Sequence, residues 1–385
     1  MLTVGGAGQQ TKSRIGQRAG YGRLPPLPCV QALLALCLSI GVEEAAAQQN
    51  QTPVPQTVVP TQQPFTILGF ADVDYDSTDS RGKQGFSLGQ AVAHVIAPLG
   101  QRLNLFSEIS LTPHDSGYSI EVERLIIKYD FSNRNTLSAG RYHTPIGYWN
   151  TAFHHGTWLQ TTVGRPESVK FGSLLVPIHF VGLQFEGKFG GENPNFGYNV
   201  GLGNGRHADI ARAGDAGDIN GNRAWTASVF YQPTWINGLK AGFGAYSDRV
   251  TPPGTIEFDE KIYSAYFALE RETPEVIAEY IRSEHDVRGG FGSGSADSFY
   301  VQVAYRLGAN LQRFKPYLRA ERDNVGNDDP LLGGLNLDYE GVITGVRFDF
   351  TPFAALKFEY HNEKFGNRAR DNTLLVQLSV VLARD

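Results

Sequence analysis

Cysteine, methionine and long apolar runs are all scarce in this chain. Its 385 residues include two Cys, at Cys29 and Cys37, and a single Met, the first residue. No run of eighteen apolar residues occurs, so a bundle of membrane-spanning helices is excluded. Charged residues make up 19%, below the roughly one quarter usual in soluble domains. The formal net charge is -5, and nothing in that balance suggests a nucleic-acid partner. What the sequence does hold is glycine and aromatics, with 44 Gly, 23 Phe and 17 Tyr. That composition is too apolar for a disordered chain and points to an all-β protein outside the cytoplasm.

The N-terminus reads as an export signal. Lys12, Arg14, Arg18 and Arg23 occur with no acid among residues 1–23. An apolar run over 30–42 follows, and then the small residues Ala45, Ala46 and Ala47. This order is that of a secretory signal peptide covering 1–47, and its apolar run is too short to span a bilayer. Without it no Cys and no Met remain, which excludes a disulfide scaffold, a thiol nucleophile and a cysteine-ligated metal. Residues 48–64 are rich in Pro, Gln and Thr and read as an extended periplasmic linker.

From Phe65 to the end, segments of roughly ten residues alternate apolar and polar with the strand period of two. In one of them Phe299, Val301, Val303, Tyr305 and Leu307 share a face opposite Tyr300, Gln302, Ala304 and Arg306. Sixteen such segments are expected, the sixth over 173–189. Their connections alternate strictly between short turns and longer loops at 76–84, 113–117, 144–172, 205–222, 249–257, 286–296, 325–336 and 365–372. That asymmetry and the even number of strands are the pattern of an outer-membrane β-barrel. A sheet in lipid must close, because an open edge leaves backbone groups unpaired. The expected fold over 65–385 is therefore a transmembrane antiparallel up-and-down barrel. Leu125, Ile127, Tyr129 and Phe131 face lipid, Phe131, Tyr305 and Phe350 belong to interfacial girdles, and the charged faces make a wet interior. A secreted propeller would require a blade-length repeat, and none is visible.

Sixteen strands with the longest loop after the fifth resemble a Gram-negative outer-membrane porin. The segment Ala139-Gly-Arg-Tyr-His-Thr-Pro-Ile-Gly147 looks like the pattern leading into the third loop of the phosphate-selective porin group. The resemblance covers 65–385 as architecture. It implies that 144–172 folds into the barrel and narrows it, that the chain assembles as a homotrimer, and that it sits among outer-membrane lipid and lipopolysaccharide. Two departures are plain: the chain ends in Asp385 rather than Phe, and the third loop lacks a lysine-rich pattern.

A channel needs a wet lumen, a constriction and a charge pattern there. The constriction candidates are Arg141 and His143, entering the loop, and Tyr148, Trp149, His154, His155, Trp158, Arg165, Glu167 and Lys170 within it. Trp149 and Trp158 are expected to pack on the wall, whereas Arg165, Glu167 and Lys170 face solute. Lumen charges are expected at Arg102, Glu108, Arg124, Lys128, Lys188, Lys240, Arg306, Lys315, Arg319, Arg347 and Lys357. Those nearest the short turns either form an anion-attracting inner vestibule or pair with carboxylates on neighbouring strands. Three imidazoles in one loop could hold zinc, but adjacent His154 and His155 point apart in an extended chain, so no metal is expected. A lumenal histidine pair would make conductance pH-sensitive near ~6.5.

No enzyme is expected. There is no Gly-x-Ser-x-Gly elbow, and the nearness of Ser283, Glu284 and His285 is what a loop of this composition gives by chance. The acidic stretch from Asp215 to Asn222 lacks the closing glutamate of a calcium loop and reads as solvated. The expected function is passive diffusion of small hydrophilic solutes or ions across an outer membrane, with no cofactor. The alternatives are a substrate-selective porin, for an anion such as phosphate, and a non-transport barrel such as an adhesin or outer-membrane hydrolase.

Overall fold

The computed structural model describes residues 65–77, 84–114, 116–153, 155–190, 195–254 and 256–383. The segments expected to be a signal peptide (1–47) and a linker (48–64), and His154, lie outside the described residues. Sixteen strands run in chain order. They are β1 (Thr66–Asp76), β2 (Gly85–Pro98), β3 (Leu103–His114), β4 (Gly117–Ser132), β5 (Asn135–His143), β6 (His179–Phe189), β7 (Phe196–Asn204) and β8 (Ala224–Tyr231). Then come β9 (Leu239–Val250), β10 (Phe258–Leu269), β11 (Glu275–Val287), β12 (Ser293–Ala304), β13 (Phe314–Val325), β14 (Tyr339–Thr351), β15 (Ala354–Phe365) and β16 (Asp371–Ala383). Every strand pairs antiparallel with its sequence neighbours, and β1 closes on β16 from Leu68↔Ala383 to Asp76↔Leu375. This is the expected closed barrel, in which no backbone edge is left open.

The two-residue period decides which side chains go where. On β12, Phe299 and Val303 are exposed outside while Tyr300, Gln302 and Ala304 are buried inside. Leu125, Ile127, Tyr129, Val229, Phe243 and Leu378 repeat the outward apolar exposure around the barrel. Phe131, Tyr305 and Phe350 are exposed at the turn end. Outward apolar side chains have no protein partner in a single chain, so the belt they form calls for an apolar surround.

On β4 the alternation slips. Glu108 pairs with Arg124, yet Ile109 pairs with Val122, so Glu123 is an extra residue on β4. A bulge of this kind re-aims side chains, and here the consecutive Glu123 and Arg124 are both buried inside the barrel.

Three expectations need correction. First, the sixth strand begins at His179, not 173. Leu174, Val176, Ile178 and Phe180 mimic strand alternation, but Pro177 has no N–H to give to a ladder, and Leu175 and Val176 pack inside the lumen. Second, the alternation of short and long connections is not strict. β3 runs to His114 and β4 starts at Gly117, so the ladder itself covers most of 113–117. At the opposite end, 305–313 is a longer connection carrying a 3-10 turn at Ala309–Leu311. Third, the interior is not wet throughout. Ile146, Tyr148, Trp149, Val169, Leu175 and Val176 of the third long connection form one core with Ile262, Ile277, Ile281 and Tyr300 of the facing wall. The main hydrophobic cluster of the molecule thus lies inside the barrel, between an inserted segment and β10–β12.

Candidate functional site

The inserted segment is 144–178, and wall side chains hold it along its length. Its two ends are tied together by Asn150, whose amide donates to the carbonyls of Thr144 at 2.9 Å and Ile178 at 3.2 Å. A short helix α1 (Trp149–Ala152) begins on the far wall. There the N–H groups of Tyr148 and Trp149 each donate to Glu279 Oε2 at 3.1 Å, and the Tyr300 hydroxyl donates to the same oxygen at 2.9 Å. Gly147 has a φ of +75°, and any side chain there would collide with the Glu279 carboxylate. Glycine is therefore what lets the backbone come this close.

Beyond α1 the chain is pinned by the wall of β13–β16. Lys357 Nζ donates to the carbonyls of Thr157 at 2.6 Å and Thr162 at 2.8 Å. Arg347 donates to those of Trp158 and Gln160, and Arg319 to those of Gly164 and Arg165. Glu359 accepts the N–H of Val163 at 2.6 Å, and Glu321 accepts that of Glu167 at 2.7 Å. Buried backbone groups require partners, and these side chains supply them in place of a sheet.

That accounting places the expected residues. Tyr148 and Trp149 are fully buried in the core, so they fill space between the loop and the wall rather than line a passage. Trp158 packs under the Arg347 guanidinium. Arg165 lies between Asn150, the Val169 carbonyl and the Phe171 ring. Burial lowers its pKa to about 10, against the pull of Tyr300 and nearby carboxylates, and it stays charged at neutral pH. Glu167 and exposed Lys170 form an ion pair beside a cavity of about 410 Å³.

The basic residues near the turns divide. Lys315 sits between Glu272 at 3.2 Å and Glu275 at 2.8 Å, and Arg306 between Glu272 at 2.8 Å and Asp349 at 2.5 Å. Burial would raise the Glu272 carboxyl, but the Lys315 and Arg306 charges hold it below the usual range. Arg347 and Lys357 are committed to the loop. On the opposite wall Lys128 lies 3.6 Å from Glu186, and Lys240 covers the Phe230 ring at 4.3 Å. Lys188 lies within electrostatic reach of Lys240. Lys188 and Arg102 are exposed.

Two further cavities lie between the loop and the wall of β2–β10. An outer cavity of about 240 Å³ is lined by Gln90, Glu121, Glu123, Arg141, His155 and His179. An inner cavity of about 320 Å³ is lined by Arg124, Lys128, His143, Gln184, Glu186 and Lys240. Between them stands a cluster of imidazoles and carboxylates. Glu108 is ion-paired with Arg124 through Oε2. Its Oε1 faces His94 Nε2 at 3.3 Å and His155 Nδ1 at 3.2 Å, and accepts the backbone N–H of His155 at 2.9 Å. Glu123 faces His155 Nε2 at 3.5 Å, His179 Nε2 at 3.1 Å and Arg141 at 3.6 Å, and accepts the Ser110 hydroxyl at 2.7 Å. The His155 ring stacks on Phe171, 4.1 Å between centroids.

Sequence reasoning missed Glu123, His94 and His179 as site residues. Strict alternation puts Glu123 outside, yet a signal was present. The outward apolar series Tyr118, Ile120, Val122 resumes at Leu125, Ile127, Tyr129 with a step of three, and that phase break is the bulge.

No family model matches this chain, and no curated protein matches it. Solved structures do. OmpF of Salmonella typhi in complex with daunomycin superposes with a TM-score of 0.57 at 9% identity, over 83% of this chain and 97% of that one. The outer membrane channel DcaP of Acinetobacter baumannii gives 0.56 at 12% over the same shares, 83% and 97%. In-vitro folded OmpT of Vibrio cholerae, in its trimer form, gives 0.53 at 14% over 83% and 99%. At such identities the likeness is one of fold, and that fold is the porin-type barrel.

Proposed function

We propose that this chain forms a water-filled channel in the outer membrane of a Gram-negative bacterium, through which small hydrophilic solutes and ions diffuse passively. One observation carries the reading. Inside a closed barrel with an apolar outer belt, cavities lined by charged and polar side chains lie on either side of an ionisable cluster, so the lumen holds solvent-sized space beside the inserted segment. Cavities lined by charged side chains suit hydrated solutes. The same belt is what burial among outer-membrane lipid and lipopolysaccharide requires. A homotrimer accords with the trimeric form of the Vibrio cholerae protein.

The non-enzymatic reading rests on where the candidate triad goes. Ser283 donates its hydroxyl to the Leu175 carbonyl at 3.0 Å, while His285 lies between Asp329 at 2.7 Å and Glu260 at 3.2 Å. Nucleophile and base are thus committed to different partners, whereas covalent catalysis needs them joined. A finer reading, preference for anions such as phosphate, draws on Lys128 and Lys240, which line the inner cavity, and on Lys188 within electrostatic reach of Lys240.

Refolded residues 48–385 in a planar bilayer under a salt gradient test the proposal. Steady ohmic conductance with a defined reversal potential is expected. A folded, heat-modifiable barrel without conductance would overturn it and bring the adhesin or hydrolase reading forward. Current that saturates with phosphate but not with chloride would mark a substrate-selective channel, and linear current with both a general one.

A further inference from the structure

We propose that the cluster between the two cavities is a transition-metal site, built by Glu108, His143 and His155 with His94 alongside, that binds Zn²⁺ and thereby clips the inserted segment to the wall. The three named residues come from three places, namely β3, the end of β5 and the inserted segment. One ligand atom from each lies within 4.8 Å of the others, and all three residues are buried.

The ligand chemistry fits an imidazole-rich cation site. The Asn150 carbonyl 3.1 Å from His143 Nδ1 can only accept, so that nitrogen carries the proton and Nε2 is the basic one. This is the arrangement in which a ligating histidine is held by its outer partner. Glu108 Oε1 lies 3.2 Å from His155 Nδ1 and 3.3 Å from His94 Nε2. Both nitrogens are buried and out of hydrogen-bond alignment with it. A tetrahedral zinc with bonds of about 2.0–2.1 Å separates its ligands by about 3.3 Å, and the 3.2 Å between Glu108 Oε1 and His155 Nδ1 matches one edge of that polyhedron, while His94 lies outside the set of three. Arg124 occupies Oε2 of Glu108 and leaves Oε1 as a monodentate ligand. Glu108 and Glu123 are balanced nearby by Arg124 and Arg141, so neutral imidazoles would carry the affinity. Imidazole ligands favour Zn²⁺ over Mg²⁺ or Ca²⁺, which take oxygen.

A cation here would join the inserted segment to the wall beside both cavities, since His155 lines the outer one and His143 the inner one. Only an effect on conductance rests on the channel reading; binding itself does not. Equilibrium dialysis of the refolded, detergent-solubilised chain against Zn²⁺ and against Mg²⁺ is the test. One Zn²⁺ per chain is expected, with no Mg²⁺ bound. His155→Ala and His143→Gln should each weaken Zn²⁺ binding by more than about tenfold, while exposed His114→Ala leaves it unchanged. Heat-modifiability of each variant confirms folding, and the two substitutions back each other should one fail to fold. No Zn²⁺ bound by the folded parent, or binding that both variants retain, overturns the site and leaves a set of ion-paired histidines. In a bilayer, Zn²⁺ should lower the conductance of the parent and not of the variants. If dialysis shows binding and the bilayer shows no current, the site stands and the channel reading falls.

Discussion

Glu279 decides where the inserted segment meets the far wall. Its Oε2 accepts two backbone N–H groups and a tyrosine hydroxyl in a fully buried setting. Replacing it by alanine leaves those donors without a partner, and each buried orphan costs about 1–3 kcal/mol. Glu279→Ala should therefore lower the unfolding midpoint in urea by the equivalent of a few kcal/mol in total, and Glu279→Gln by less, since it keeps one acceptor oxygen. Equal midpoints for Glu279→Ala and the parent would mean that the contact does not hold the loop. At this scale legibility was uneven. Trp149 could be assigned to wall packing because a large indole finds more contact there than in water. Glu279 carried no such mark, because an inward glutamate on a strand is what any polar lumen contains. Glu123 was concealed by a bulge whose only trace is a step of three in the apolar series.

The segment 144–178 behaves as an element in its own right, although it holds only α1 and 3-10 turns at Thr157–Leu159 and Glu167–Val169. Periodicity located it, because alternation stops after β5. Periodicity could not say that it turns inward, since that depends on partners far along the chain. Its end was misplaced by the strand-like run before Pro177, where the missing N–H outweighs the pattern. Lys357 is its clearest external hold, fully buried and bonded to two carbonyls of the loop and to Gln377. Lys357→Met keeps the length of the side chain and removes the donors. Single-channel recordings of this variant should show more frequent current fluctuations and at least as large a mean conductance as the parent. Identical open-channel noise would argue that the loop is held elsewhere.

For the molecule as a whole, the sixteen strands, their order and, apart from the β4 bulge, the direction of their side chains were readable because a closed barrel imposes the same alternation on its strands. The charge pattern was not, because pairing depends on which strands lie side by side and on how the loop lies across them. Lys315 illustrates this. By face and level it belongs with Lys128 and Lys240, yet it is buried between Glu272 and Glu275. The triple substitution of Lys128, Lys188 and Lys240 by Gln should move the reversal potential toward cations, whereas Lys315→Gln should leave it nearly unchanged. A shift for Lys315→Gln as large as for the triple variant would contradict the pairing.

The core inside the barrel also bears on biogenesis. Trp149 meets Glu279 across 130 residues of sequence, and Thr157 meets Lys357 across 200. Such distant contacts are slow to form. The apolar stretch from Ile146 to Val176 leaves the exporting machinery before most of the wall that will cover it. During transit it is a sticky segment awaiting a partner not yet delivered. Escorting factors in the periplasm would have to shield that stretch until β10–β15, which cover it, have been delivered.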